Sequence, residues 1–198
     1  MDKWRLIVVA LLCGLLWSGT AWAGLQEDVA AAVAARDRHD YATANKILTR
    51  LLRQDKLPKQ ALGAVHGMRG VFWQEQGEYY RAIADFTRAT QLLPDQGEPY
   101  NNLAWILATC SDPDFRNAEL ALKNAQKAVE LLKESPDSLD TMAAALAEAG
   151  RFEEAVRVME RVVEWCEKQG DGARLDLARR HLDSYRQGQP WRDQPRRN

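Results

Sequence analysis

The chain has 198 residues, of which 46% are hydrophobic, and carries 27 Lys and Arg against 28 Asp and Glu, for a formal net charge of −1. This length allows one domain with a buried core. The near balance of charge argues against nucleic acid as a partner, because nucleic acid demands a concentrated positive surface.

Residues 1–23 are predicted to be a secretory signal peptide. A short basic start precedes an apolar run over residues 6–17, and an Ala-Trp-Ala ending predicts cleavage after Ala23. A transmembrane helix needs about 20 apolar residues, so a retained anchor is the less favoured interpretation. Leucine, not a small residue, precedes Cys13, which argues against lipid attachment. We therefore expect a periplasmic or secreted protein with no stable membrane anchor after cleavage.

A repeated pattern follows this segment. An aromatic residue is followed by Ala three residues later and by a core-filling residue four further on; the copies are Tyr41-x-x-Ala44-x-x-x-Leu48, Tyr79-x-x-Ala82-x-x-x-Phe86 and Phe152-x-x-Ala155-x-x-x-Met159. Small or compact residues recur in the same register, in the sets Ala32, Ala44 and Leu51; Gly70, Ala82 and Ala89; Ala104, Ala121 and Ala128; and Ala143, Ala155 and Val162. A period in the mid-thirties predicts stacked helical hairpins.

The predicted hairpins are divided by residues that break helices. Pro58 and Pro94 separate the first three, and Gly77 and Gly150 turn the second and the fourth. The predicted helices are 25–37 with 42–54, 59–76 with 80–92, 98–108 with 118–133 around a longer loop at 110–117, and a helix from Pro136 with 153–168. No strand pattern competes, so the fold is predicted to be all-α.

A last helix, over residues 173–187, is predicted to close the stack. One of its faces is apolar, with Leu175, Ala178, Leu182 and Tyr185 at helical spacing. Stacked repeats leave an apolar side exposed at each end, so a helix with one polar face is expected there. The predicted organisation is repeats over 24–169 (about 25–58, 63–96, 97–135 and 136–169), a capping helix over 170–188 and a flexible tail over 189–198.

Two cysteines remain after cleavage, Cys110 and Cys166. In an oxidising compartment an even pair suggests a disulfide. Cys110 closes the first helix of one hairpin and Cys166 the second helix of the next, so their ends should lie about 20 Å apart. A disulfide joins Cα atoms only about 4.4–6.8 Å apart. We predict two unpaired thiols.

No motif in the chain predicts catalysis, a metal or a cofactor. The loop residues Asp112, Asp114 and Asn117 suggest Ca²⁺, but the loop has neither a bidentate Glu nor a turn Gly. Acidic neighbours raise the pKa of a thiol, so Cys110 is disfavoured as a nucleophile. The histidines lie in separate predicted elements: His39, His66 and His181. A non-enzymatic protein is expected.

The chain resembles the tetratricopeptide repeat family, in a bacterial exported form, over about residues 25–169. The matching residues are Gly70, Gly77, Tyr79, Ala82, Phe86, Ala89 and Pro94 in one copy, and Leu139, Ala143, Leu146, Gly150, Phe152 and Ala155 in another. The resemblance implies a right-handed superhelix, an α-solenoid, of about four hairpins. In that family the first helices line a concave groove, which implies the partner contacts Val71, Gln74, Asn101, Trp105, Asp140 and Ala144.

Trp105 and Asn101 are the groove residues of most interest. An aromatic side chain that faces a groove is a common binding hot spot, although Trp105 could instead pack under the inserted loop against Phe115. The amide of Asn101 could bind a peptide backbone through its donor and acceptor. The mapped groove has no Lys and is acidic in its C-terminal half, so it does not fit the family's clamp for C-terminal carboxylates.

These features predict a protein-binding scaffold or adaptor of the bacterial cell envelope. It is expected to be a monomer that binds a segment of another envelope protein in its groove. The alternative is a self-assembling structural protein that stacks through repeat ends. The polar face of the last helix argues against that alternative.

Overall fold

The structure is a computed structural model that describes residues 19–54 and 57–193, with side chains from residue 24 onward. Over these residues the protein is all-helical, without a strand, and the all-α prediction is confirmed. Its helices are α1 (Gly19–Asp37), α2 (Tyr41–Leu52), α3 (Lys59–Glu75), α4 (Tyr79–Leu92), α5 (Gly97–Thr109), α6 (Ala118–Leu131), α7 (Pro136–Glu148), α8 (Phe152–Gln169) and α9 (Gly172–Arg186), with a 3₁₀ turn at Pro113–Phe115.

The predicted signal peptide falls largely outside the described residues, which begin at residue 19. α1 begins at Gly19, so the predicted cleavage after Ala23 falls inside this helix. Within the part of the chain that is described, no helix combines the length and the apolar character needed to cross a lipid bilayer.

Local chemistry sets several helix ends. Asp40 accepts a hydrogen bond from the Thr43 backbone N–H at 3.1 Å and caps α2. Asn117 caps α6 in the same way, through the Leu120 N–H at 2.9 Å. Gly170 ends α8 with a φ of 68°, a left-handed conformation that glycine adopts without steric cost.

The chain forms two compact units, Met1–Leu93 and Pro94–Asn198. In the first unit α1 packs on α2, α2 on α3, and α3 on α4. A Cβ atom at Gly70 would stand 2.8 Å from the Phe86 ring, so only glycine allows α3 and α4 to approach this closely. Asp85 of α4 is buried there and accepts hydrogen bonds from Arg69 of α3, with His66 of α3 also 2.7 Å away.

In the second unit α5 packs on α6 and α7, α7 on α6 and α8, and α8 on α9. The apolar face predicted for the last helix is confirmed, because Ala178, Leu182 and Tyr185 are buried against α7 and α8 and Leu175 packs beside them. The predicted small-residue register is also buried throughout both units: Ala32, Ala44, Leu51, Gly70, Ala82, Ala89, Ala104, Ala121, Ala128, Ala143, Ala155 and Val162.

The inserted loop and the cysteines belong to this second unit. Cys110 and Cys166 are both buried free thiols, as the helix lengths predict. Burial raises the pKa of each thiol, so neither is a ready nucleophile. Arg116 fastens the loop by donating to the Cys110 carbonyl at 2.8 Å and to Glu148 at 3.1 Å. Asp112 caps the 3₁₀ turn. Among the described residues no cluster of His, Cys, Asp and Glu could hold a metal ion.

Candidate functional site

The six predicted partner contacts fall in both units. Val71 and Gln74 lie on α3 in the first unit, and the remaining four lie on α5 and α7 in the second. Val71 is 8% exposed and Ala144 only 2%, so these two side chains offer a partner little surface. Gln74 is half-buried.

Three helices of the second unit bring Trp105 and Asp140 to one place. His181 of α9 joins them: its Nδ1 lies 2.8 Å from Asp140 Oδ1 on α7, and its ring centroid lies 5.9 Å from that of Trp105 on α5. We call the surface formed by Trp105, Asp140 and His181 the three-helix face. Asn101 lies one turn before Trp105 on α5.

His181 is the residue of the three-helix face that sequence analysis does not identify. The sequence shows only that its predicted element differs from those of the other histidines. A signal was available in the repeat register: Asp140 and Ala147 are both groove positions of the fourth copy, and adding 34 residues to each gives Arg174 and His181 as the next inward positions. Arg174 of α9 does face α7, because its guanidinium donates a hydrogen bond to Asp137 of that helix at 2.7 Å.

Residues 189–193 lie across the three-helix face. The Trp191 ring packs on His181 with centroids 4.3 Å apart, and Trp105 Nε1 donates to Asp193 Oδ2 at 2.6 Å. The backbone N–H of Asp193 donates to the Thr109 carbonyl at 2.9 Å. Trp191 and Asp193 thus contact the second unit, while the flexibility predicted for residues 189–198 stays a prediction. Residues 194–198 lie outside the described residues.

The end of α5 explains why this segment binds there. The last carbonyls of a helix have no partner within the helix, and they attract donors and positive charge. Residues 192 and 193 supply a donor and a positive charge. The backbone N–H of Asp193 donates to the Thr109 carbonyl, and the guanidinium of Arg192 donates to the Ala108 carbonyl at 3.1 Å. Arg192 also forms an ion pair with Glu148 of α7 at 2.6 Å, and both side chains are largely shielded from solvent.

Some polar atoms of this region stay unsatisfied. Asn101 Oδ1, His181 Nε2 and the Tyr185 hydroxyl are buried and have no hydrogen-bonding partner within the described part of the chain. Burial raises the pKa of Tyr185, which keeps its hydroxyl protonated. Buried polar atoms of folded proteins are usually hydrogen-bonded, so these three atoms can accept or donate to a group beyond the described residues.

The Asp140–His181 pair has the arrangement that orients a catalytic base. The His181 ring is only 1% exposed, however, with Trp191 against it. A substrate cannot reach Nε2 in this arrangement. The pair instead orients the ring beneath Trp191, and the two rings are tilted by 52° with respect to each other.

Comparison with known proteins adds no family: no family model and no curated protein matches the chain.

Proposed function

We propose that the chain is a non-enzymatic adaptor of the bacterial cell envelope, built as an α-solenoid of tetratricopeptide type, whose three-helix face binds an extended segment of another protein. The observation that carries the proposal is the occupation of this face by the chain's own Trp191, Arg192 and Asp193. A non-helical segment is held there by its backbone, by aromatic packing and by charge.

The tail indicates what chemistry a partner segment must offer. An aromatic ring packs on His181, a carboxylate accepts from Trp105 Nε1, and a cation meets Glu148 beside the end of α5. Buried tryptophan and arginine contribute most to protein interfaces. The partner is therefore an envelope protein with an aromatic–basic–acidic sequence in an extended segment.

The proposed location of the adaptor in the cell rests on residues 1–23. Their apolar run and their Ala-Trp-Ala ending favour export to the periplasm or beyond. Self-assembly through repeat ends is the less favoured alternative. The outer side of α9 carries charged side chains such as Arg179 and Asp183, which are exposed, and this is typical of a terminal cap and not of a stacking surface.

A tethered tail competes strongly with a free partner. A segment joined by a few residues has an effective concentration on the order of millimolar. A partner at micromolar concentration must therefore bind about a thousandfold more tightly than the tail to replace it. The unsatisfied atoms at Asn101 and His181 are contacts that a partner could add.

The test uses the full chain and removes the contacts by which the tail occupies the three-helix face. The variant with Trp191→Ala and Asp193→Ala keeps all helices but loses the contacts to His181 and Trp105. A fluorescein-labelled peptide of residues 189–198 should bind this variant and not the wild-type chain, as measured by fluorescence anisotropy. Adding Trp105→Ala to the variant should abolish the binding.

The matched control replaces Trp165, a 40% exposed tryptophan on α8, with Ala in the tail-freed variant. Peptide binding should be unchanged there. Equal binding to the wild-type chain and the tail-freed variant would contradict the proposal, as would a tail-freed variant that folds normally and binds no peptide.

A further inference from the structure

A basic cleft lies in the first unit, between α2, the end of α3 and the start of α4. It has a volume of about 860 Å³. Its lining contains no Asp or Glu among the described residues, and its cationic side chains are Lys46, Arg50, Arg53 and Arg81. In a chain whose total charge is −1, such a concentration of one sign is a local feature.

Two of these cations are partly neutralised within the unit. Arg50 donates to Asp28 at 2.6 Å, and Arg81 lies 3.8 Å from Glu78 with its guanidinium over the Trp73 ring. Lys46 and Arg53 are exposed, and within the described residues neither has an acidic group within 4.0 Å. The cleft therefore has positive charge at Lys46 and Arg53 that no described acidic side chain neutralises.

Asn45 gives a second, independent sign of a ligand. It lines the cleft and is only 4% exposed, yet neither its amide nitrogen nor its amide oxygen has a hydrogen-bonding partner in the described structure. An amide that stays buried and unpaired is costly, so this position favours a partner that supplies an acceptor and a donor. A donor and an acceptor side by side complement a peptide group.

The geometry also limits the size of the ligand. Lys46 and Arg50 lie on successive turns of α2 and Arg53 caps its C-terminal end, so the three Cα atoms extend over about 10 Å along the helix axis. A small anion such as phosphate can meet only part of this row. An acidic polypeptide segment can place carboxylates along it while one of its peptide groups reaches Asn45.

We propose that this cleft of α2, α3 and α4 binds an acidic segment of a polypeptide, with carboxylates paired to Lys46 and Arg53 and a peptide group hydrogen-bonded to Asn45. It is a second site, in the first unit, and its cationic lining differs from the three-helix face, which contacts both a cation and a carboxylate of the tail. The two sites share no residue, so either can fail in a test without the other.

The binding experiment uses the full chain and a short fluorescein-labelled peptide of alternating Glu and Ala, with the Gln–Ala peptide as the neutral comparison. The acidic peptide should bind, and the affinity should fall as salt is added. Lys46→Glu combined with Arg53→Glu should weaken binding about tenfold or more, since two exposed attractions become repulsions. The matched control, Lys123→Glu with Arg180→Glu, makes the same charge change at exposed positions of the second unit and should stay within about twofold.

Asn45→Leu separates recognition from simple charge attraction. It leaves the charge unchanged and should weaken the acidic peptide while the variant stays folded by circular dichroism. Equal binding of both peptides, or equal loss in the control pair, would overturn the proposal. So would binding to phosphatidylglycerol vesicles without binding to the peptide, which would make the partner a membrane surface.

Discussion

At the scale of single residues, Asp85 and Asn45 show two fates of a buried polar side chain. Both are 4% exposed. Asp85 is satisfied by Arg69 and His66, whereas Asn45 has no hydrogen-bonding partner in the described residues. A buried polar group stabilises a fold only when it is paired. We therefore assign Asp85 a structural role and propose that Asn45 binds a ligand.

Asp85→Asn tests the structural member of this pair. Loss of the charged hydrogen bonds to Arg69 should lower the free energy of unfolding by about 2–3 kcal/mol at pH 7, measured by urea denaturation. Burial acts to raise the pKa of Asp85, but the hydrogen bonds from Arg69 and His66 lower it more, so the net shift is downward. A lowered folded pKa gives stability that is present above the unfolded pKa of about 4 and is lost as pH falls through the folded value.

The difference in the free energy of unfolding between wild type and Asp85→Asn should therefore become smaller as the pH falls below about 4. Asp176→Asn, at an exposed acid of α9, should change stability by less than about 0.5 kcal/mol and serves as the control. A difference that does not become smaller in acid would contradict the assignment of Asp85 as the ionised partner.

At the scale of helices, the α3–α4 contact depends on Gly70. Gly70→Ala should lower the free energy of unfolding by about 1–3 kcal/mol, because its Cβ would stand 2.8 Å from the Phe86 ring. Gly67→Ala is the matched control on the same helix. Its Cβ would meet only the Ala89 Cβ, at 4.0 Å, so stability should be unchanged or rise by up to about 1 kcal/mol. If thermal or urea unfolding shows the same loss of stability in both variants, the close approach of Gly70 to Phe86 is not the cause of the loss.

The same contact shows why most helix positions could be predicted from the sequence. Pro58, Gly77 and Gly150 act on their own neighbourhood, and small residues in register mark where helices cross. The contacts of the tail were not predictable in this way. Trp105 and Asp193 are 88 residues apart in the sequence. The segment that contains Asp193 is rich in Gln, Pro and Arg, a composition that predicts a solvent-exposed tail. Sequence analysis names Trp105 and Asp140 as groove residues, and partner binding at these residues stays a prediction. That residues 191–193 lie against them required the three-dimensional structure.

At the scale of the whole molecule, the chain forms two compact units, and each unit carries one of the two candidate sites. The three-helix face of the second unit is filled by a tail and the basic cleft of the first unit is open. We propose that the two sites take different segments, because one is lined by cations and the other contacts Trp191, Arg192 and Asp193. The tail is then a local element of the second unit, and its release should have local consequences.

Hydrogen exchange measures those consequences over the whole chain. In the variant with Trp191→Ala and Asp193→Ala, amides near the end of α5 and in α9 should exchange faster, because the tail no longer donates to the Thr109 carbonyl or packs on His181. Amides of α2, α3 and α4 should keep their wild-type rates. Faster exchange throughout both units would mean that the tail supports the global fold, and a face that can lose its tail only by unfolding could not serve a partner. Unchanged exchange in α5 and α9 would mean that the tail does not hold this face in solution.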